Sequence, residues 1–256
     1  MITNPVKEKL ASGGSVLGAF VNIGSPVVVE LLALAGMDYV VLDGEHTTLS
    51  PESAENMFRA AEAKGIVPIT RVGQNDPQVI QKFMDAGSVG IQMPLVNNKE
   101  ECQRFVDSVK YPPVGKRGLA AVRAANYGLE GPLDAYVVKA NEATLVVPQI
   151  ETTKGFENVE EVLSVKGVDV LFLGPTDISV ALGFPGEVRH PDVLALIEKF
   201  TAQANAAGKA SGTIARDYDE YVYWKERGVR YFLGSAAVML GRAASDFAKR
   251  FKEAEG

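Results

Sequence analysis

Eight short runs rich in β-branched and aliphatic residues recur along the 256-residue chain, each followed by a segment with apolar residues at helical spacing. That alternation constrains the fold more than any other feature. The runs predict strands at 16–22, 38–44, 67–72, 89–95, 144–150, 168–174, 209–214 and 230–234. Helix starts are marked by Ser50-Pro51-Glu52 and Asp76-Pro77, where a capping side chain precedes proline at the first helical position. Gly36, Gly65, Gly87, Gly167, Gly208 and Gly228 fall where helices should stop. Eight βα units with no linker, low-complexity tract or composition break predict one (β/α)8 TIM barrel, a single domain over residues 1–256. A doubly wound open sheet is the alternative. The connection 97–143 is too long to be a plain crossover and carries Tyr111-Pro112-Pro113-Val114-Gly115-Lys116-Arg117-Gly118, which marks it as functional.

The balance of 26 basic against 32 acidic side chains, a formal charge of −6, argues against a nucleic-acid partner. With 46% apolar residues the chain can bury a large core, which excludes disorder. Residues 1–13 contain no secretory hydrophobic region, and the most apolar window, 27–37, is broken by Glu30 and shorter than the ~20 residues that cross a bilayer. No membrane partner is expected. Cys102 is the only cysteine, which excludes an internal disulfide or a Cys-rich zinc cluster and points to a reducing cytoplasm.

In a barrel of this kind chemistry sits at the C-terminal ends of the strands. Four predicted strands run into polar residues there: Asp43-Gly44-Glu45-His46, Arg71, Gln149-Ile150-Glu151 and Gly174-Pro175-Thr176-Asp177. Glu151 and Asp177 end sequential strands, which lie ~4.8 Å apart, so two carboxylates can converge on one cation. With no His or Cys beside them, the expected ion is a divalent one such as Mg²⁺ or Mn²⁺, completed by water and substrate oxygens. Alternatively, Glu151 merely begins the next helix and Asp177 caps another.

His46, one of two histidines, directly follows a strand end, where an imidazole suits a general base. Asp43 and Glu45 beside it can orient the ring; otherwise it is a surface histidine bonded to backbone. His190, before Pro191, reads as a structural helix start. Arg71 closes a Val-Pro-Ile-Thr strand and needs an anion: a ligand carboxylate or enolate oxygen, the side chain of Asp43 or Glu45, or both together. Lys209 opens strand seven, the wrong end of the barrel for a Schiff base, so the electron sink falls to a metal. Neither glycine-rich nucleotide fingerprint is present, so no nucleotide cofactor is expected. Gly234-Ser235 fits a phosphate contact or a tight turn equally well.

Together with the 111–118 segment, Arg123, Tyr127-Gly128 and Leu182-Gly183-Phe184 followed by His190-Pro191, these blocks resemble the motif set of the HpcH/HpaI aldolases, a family of metal-dependent pyruvate aldolases. The resemblance covers nearly the whole chain. It implies that Glu151 and Asp177 bind a divalent metal (Mg²⁺, Mn²⁺ or Co²⁺) and that Arg71 contacts the pyruvate keto or enolate oxygen. It also implies that His46, in the same catalytic block as Asp43, is the acid/base. The backbone of Gly174, Pro175, Thr176 and Asp177 would hold the pyruvate carboxylate, with Gln149 supporting the metal and lining the substrate site. Asp85 would reach a histidine of a neighbouring subunit, which requires a homo-oligomer, a hexamer of two trimers with exchanged C-terminal helices. The implied reaction is reversible cleavage of 4-hydroxy-2-oxo acids to pyruvate, or a related 2-oxo acid, and an aldehyde. Competing readings are an acyl-CoA carbon–carbon lyase of the same superfamily, a non-catalytic organic-acid-binding barrel and a sugar-phosphate isomerase or epimerase. Rim loops 111–131 and 180–190 would choose the aldehyde.

Overall fold

The computed structural model describes residues 3–255. Eight parallel strands close into a barrel: β1 (Val16–Val21), β2 (Tyr39–Gly44), β3 (Val67–Val72), β4 (Gly90–Met93), β5 (Leu145–Ile150), β6 (Val170–Leu173), β7 (Ala210–Ile214) and β8 (Tyr231–Ser235). Each predicted run holds one strand, with ends shifted by at most two residues. β4 stops before Pro94 and β6 before Gly174-Pro175, where a ring without an N–H ends the ladder. β8 pairs back on β1, so no sheet edge remains, and the open-sheet alternative is excluded.

The helices are α1 (Pro5–Ala11), α2 (Pro26–Leu34), α3 (Pro51–Lys64), α4 (Pro77–Ala86), α5 (Lys99–Val109), α6 (Leu133–Ala143), α7 (Thr153–Glu157), α8 (Val159–Leu163), α9 (Pro175–Ala181), α10 (Pro191–Ala206), α11 (Tyr218–Glu226) and α12 (Ala236–Glu255). Ser50 and Asp76 cap α3 and α4 as the sequence predicts, and His190 caps α10 through Nδ1. The six stop glycines all adopt positive φ. Among the described residues no helix is long and apolar enough to cross a membrane.

Side chains alternate along each strand, and the alternation sorts the core into two bodies. Phe20, Tyr39, Val41, Ile69, Val147, Phe172, Tyr231 and Leu233 fill the barrel, while Val40, Leu42, Ile91, Leu171 and Phe232 pack outward under the helices. Each large apolar side chain fully buried this way contributes roughly 1.5–3 kcal/mol. The same period of two that turns Val41, Ile69 and Val147 inward brings Asp43, Arg71 and Gln149 inward one step higher. Arg71 lies in register with both Asp43 and Gln92. Apolar filling below thus becomes a polar layer at the rim.

Two features were not legible in the sequence. α1 plugs the N-terminal end of the barrel with Val6 and Leu10, fastened by Asn4 Nδ2 to Ala143 O (2.8 Å) and Lys7 Nζ to Thr144 O (2.9 Å). The long connection holds, besides α5, a 3₁₀ turn at Arg123–Gly128 and helix α6. Arg123 ties that turn to Glu62 and to Ala86 O (2.8 Å), near the C-terminal ends of α3 and α4, so within its own chain it lies at the end of the barrel opposite the rim and not on the rim as expected.

Candidate active site

Two polar groups face each other across the barrel mouth. On the β2–β3 side, Arg71 Nε and Nη2 donate to the two oxygens of Asp43 at 2.9 and 2.7 Å, a bidentate fork buried in the rim. Arg71 Nη1 lies 3.2 Å from Glu45 Oε2, and the guanidinium sits 4.3 Å above the Phe20 ring. Asp43 Oδ1 also accepts from the amides of Glu45 (3.2 Å) and His46 (3.3 Å), fixing the turn that carries both. Burial alone would raise the Asp43 carboxyl. The hydrogen bonds and charge of Arg71, with the two amides, outweigh burial and hold it below the usual range. Glu45 is the reverse case: its burial, aided by the Asp43 and Asp177 charges, outweighs Arg71 and His46 and raises it. His46 lies over the mouth with its side chain 62% exposed and Nε2 3.6 Å from Glu45. Both anions the sequence offered to Arg71 are therefore in place.

On the β5–β6 side, Glu151 follows β5 directly and is 3% exposed. It does not begin a helix: Thr152 caps α7 by accepting from Gly155 N. Leu95 N donates to Glu151 Oε1 at 3.1 Å from a left-handed backbone (φ 55), a conformation costly for leucine that aims this amide at the carboxylate. Gln149 Nε2 donates to Glu151 Oε2, and Gln149 Oε1 accepts from Gln92 at 2.7 Å. Asp177 stands in the first turn of α9 rather than at the end of β6, and does not cap it; Gly174 is the N-cap and no side chain bonds there. The first-turn amides of Thr176 and Asp177 thus have no side-chain acceptor.

Gly174 decides the shape of this half. A Cβ at Gly174 would lie 2.9 Å from Glu151 Oε2, 3.2 Å from Gln149 Nε2 and 3.8 Å from Asp177 Oδ2. Any side chain would fill the space that the two carboxylates line. Burial raises the Glu151 carboxyl first; Gln149 and the Leu95 amide lower it, Asp177 and Glu45 raise it, and the balance pushes it up to about 7. The chemistry of the set, two neighbouring carboxylates with no imidazole or thiolate, suits a hard divalent ion. Among the described residues no group of three or more His, Cys, Asp and Glu converges, so protein would supply only part of an octahedron.

Asp85 lies apart. It is eight residues beyond the first residue of α4, about 12 Å below the rim. Its carboxylate accepts from Arg117 Nη2 (2.7 Å) and weakly from Gln81 Nε2 (3.4 Å). It does not reach the His46 of its own chain. A groove of about 780 Å³ between α4 and α5 is lined by Gln81, Arg104 and Arg117 among others and contains none of the rim set. Gln92, Leu95 and Phe20 were missed as site residues. A glutamine between Ile91 and Met93 in an apolar strand was the one visible signal.

Fold and rim together define a (β/α)8 barrel with an acidic pair facing an arginine and a histidine. The HpcH/HpaI aldolase/citrate lyase family model matches residues 17–242. A 4-hydroxy-2-oxo-heptane-1,7-dioate aldolase of Shigella sonnei is 34% identical, over 97% of this chain and 95% of that protein. A 5-keto-4-deoxy-D-glucarate aldolase of Salmonella paratyphi C is 36% identical, over 86% and 87%. A crystal structure of a family protein from Burkholderia cenocepacia J2315 superposes with a TM-score of 0.92 at 30% identity, covering 98% of this chain and all of that one. The chain belongs to the HpcH/HpaI aldolase/citrate lyase family.

Proposed function

We propose that this protein is a divalent-metal-dependent aldolase that reversibly cleaves 4-hydroxy-2-oxo acids to pyruvate, or a related 2-oxo acid, and an aldehyde. The observation that carries this reading is the convergence of Glu151 Oε2 and Asp177 Oδ2 on the space over Gly174, opposite Arg71 and His46. Glu151 and Asp177 would hold the ion, with Gln149 and Leu95 N–H fixing Glu151. A divalent ion there supplies Lewis-acid stabilisation of the charge that develops on the keto oxygen. Arg71, already oriented by Asp43, presents a fixed positive charge to that oxygen. The uncapped amides of Thr176 and Asp177 offer donors to the 2-oxo acid carboxylate. His46 accepts the 4-hydroxyl proton; the C3–C4 bond breaks, the aldehyde leaves, and the electron pair passes to the enolate, which a proton at C3 converts to pyruvate.

Asp85 and α12 belong to the assembly part of the reading. α12 is 20 residues long, buries only Ala236, and exposes Leu240, Phe247 and Phe251; α2 exposes Val27, Leu31 and Leu34 beside the barrel. Uncovered apolar stripes on both helices support an oligomer with exchanged C-terminal helices, in which Asp85 meets a partner's histidine. Light scattering of the purified protein should return a hexameric mass; a monomer would remove Asp85 from the reaction.

Proton NMR of pyruvate in D₂O tests the chemistry without knowledge of the aldehyde. The methyl signal should disappear with protein and Mg²⁺, Mn²⁺ or Co²⁺, and persist with a chelator. No exchange with any ion, despite pyruvate binding, would favour an acyl-CoA substrate or a binding role. His46→Ala should retain ion and pyruvate affinity while aldol cleavage falls by roughly 10²–10⁴-fold; near-native cleavage would take His46 out of the mechanism.

A further inference from the structure

Gln92, on β4, is 0% exposed, and its Nε2 donates to Gln149 Oε1 at 2.7 Å. Gln149 is 1% exposed and donates in turn to Glu151 Oε2. The order of donors in this chain is set from one end. An ionised carboxylate only accepts, so Gln149 must turn its NH₂ toward Glu151, which leaves its oxygen facing Gln92. Gln92 must then present its own NH₂. Its remaining atom, Oε1, is buried and receives no hydrogen bond from the protein. A buried amide oxygen without a partner is unfavourable, and an apolar side chain of the same shape would avoid it. Packing therefore does not account for a glutamine at this position, whereas the bond it donates does.

We propose that Gln92 is a positioning residue for Glu151, acting through Gln149: by donating to Gln149 Oε1 it holds in place the amide orientation that the carboxylate requires, with N–H rather than oxygen toward Glu151. Without that donor, Gln149 Oε1 is left buried and unpaired, the amide loses its anchor on β4, and the N–H it offers Glu151 is less firmly placed. The inference rests on the reading of Glu151 as a ligand of the divalent ion. It adds a layer beneath the residues named above, in the strand that lies between the two halves of the rim: Gln92 pairs in register with Arg71 on one side and Val147 on the other.

The test is calorimetric titration of the ion-free protein with Mn²⁺ alone, beside thermal unfolding of the same samples. Gln92→Met keeps the volume and removes the donor. Its Mn²⁺ dissociation constant should rise by about 10-fold, the low end of the loss seen when groups behind a ligand are removed, while its unfolding temperature without ion is unchanged or higher. Gln92→Leu should behave alike and serves if the methionine variant does not fold. In a Gln149→Met background the further change Gln92→Met should alter the constant by less than about twofold, because the relay is already broken. Wild-type-like affinity in Gln92→Met, or an equal loss in both backgrounds, would overturn the relay while leaving the ligand assignment intact. Absence of Mn²⁺ binding by the wild-type protein would instead overturn the ligand assignment and the relay with it.

Discussion

Glu151→Gln should abolish calorimetrically detectable Mn²⁺ binding and slow metal-dependent pyruvate exchange by at least about 10³-fold, since Lewis-acid stabilisation is worth several kcal/mol. The fold should not suffer. Glutamine has the same shape, and the buried carboxylate it replaces is crowded by Asp177 and Glu45. The pH dependence follows from the carboxyl being pushed up to about 7. The native state binds this proton more tightly than the unfolded chain, so Glu151 makes the ion-free protein progressively less stable as pH rises from about 4.3 toward 7. Above that the deficit is constant. Ion-free Glu151→Gln should accordingly match wild type near pH 4 and exceed it at pH 8 in urea unfolding. Ion binding by the wild type at pH 6 should release close to one proton, read from titrations in buffers of different ionisation enthalpy. Unchanged Mn²⁺ affinity in the variant would reject Glu151 as a ligand.

Arg71→Met should destabilise the protein by roughly 3–5 kcal/mol, the usual consequence of leaving one member of a buried ion pair unpaired. It should also eliminate exchange activity. In the wild type, the Asp43 carboxyl is held below its usual range, so its stabilising contribution is present above about pH 4 and lost as pH falls through the depressed native value. Without Arg71 the burial that raises Asp43 has lost its main opponent. The variant should therefore gain stability on acidification from pH 7 to 5, where the wild type gains none from this pair. Denaturant midpoints across that range decide it; parallel profiles would show that the Asp43–Arg71 fork contributes little.

The barrel was legible because its determinants are local. Runs such as Tyr39-Val40-Val41-Leu42 are buried on both faces, and Ser50-Pro51 or Asp76-Pro77 set helix starts without tertiary help. The rim residues were legible for a related reason: Asp43, Arg71 and Glu151 interrupt apolar strands at the end where polar groups gather. Asp177 was placed on the right rim but on the wrong element, because Gly174-Pro175 already starts α9. What escaped depends on through-space geometry. The left-handed Leu95, whose amide holds Glu151, carries no residue-type signal, since glycine or asparagine would be the usual choice there. Phe20 beneath Arg71 looks like any core aromatic until the strands close. Gln92 is a polar residue in an apolar strand, but nothing local marks its role, because its partner lies 57 residues away.

The clamp on Arg71 divides the entropy of catalysis unevenly. Asp43 and Glu45 bind its guanidinium and Phe20 supports its face, so its rotamers are frozen when the barrel folds and no freedom is left for a ligand to remove. His46, largely exposed and only loosely beside Glu45, keeps its freedom until a ligand arrives. Capture of an anion at Arg71 should thus be governed by enthalpy, and the ordering penalty of the productive complex should fall on the histidine.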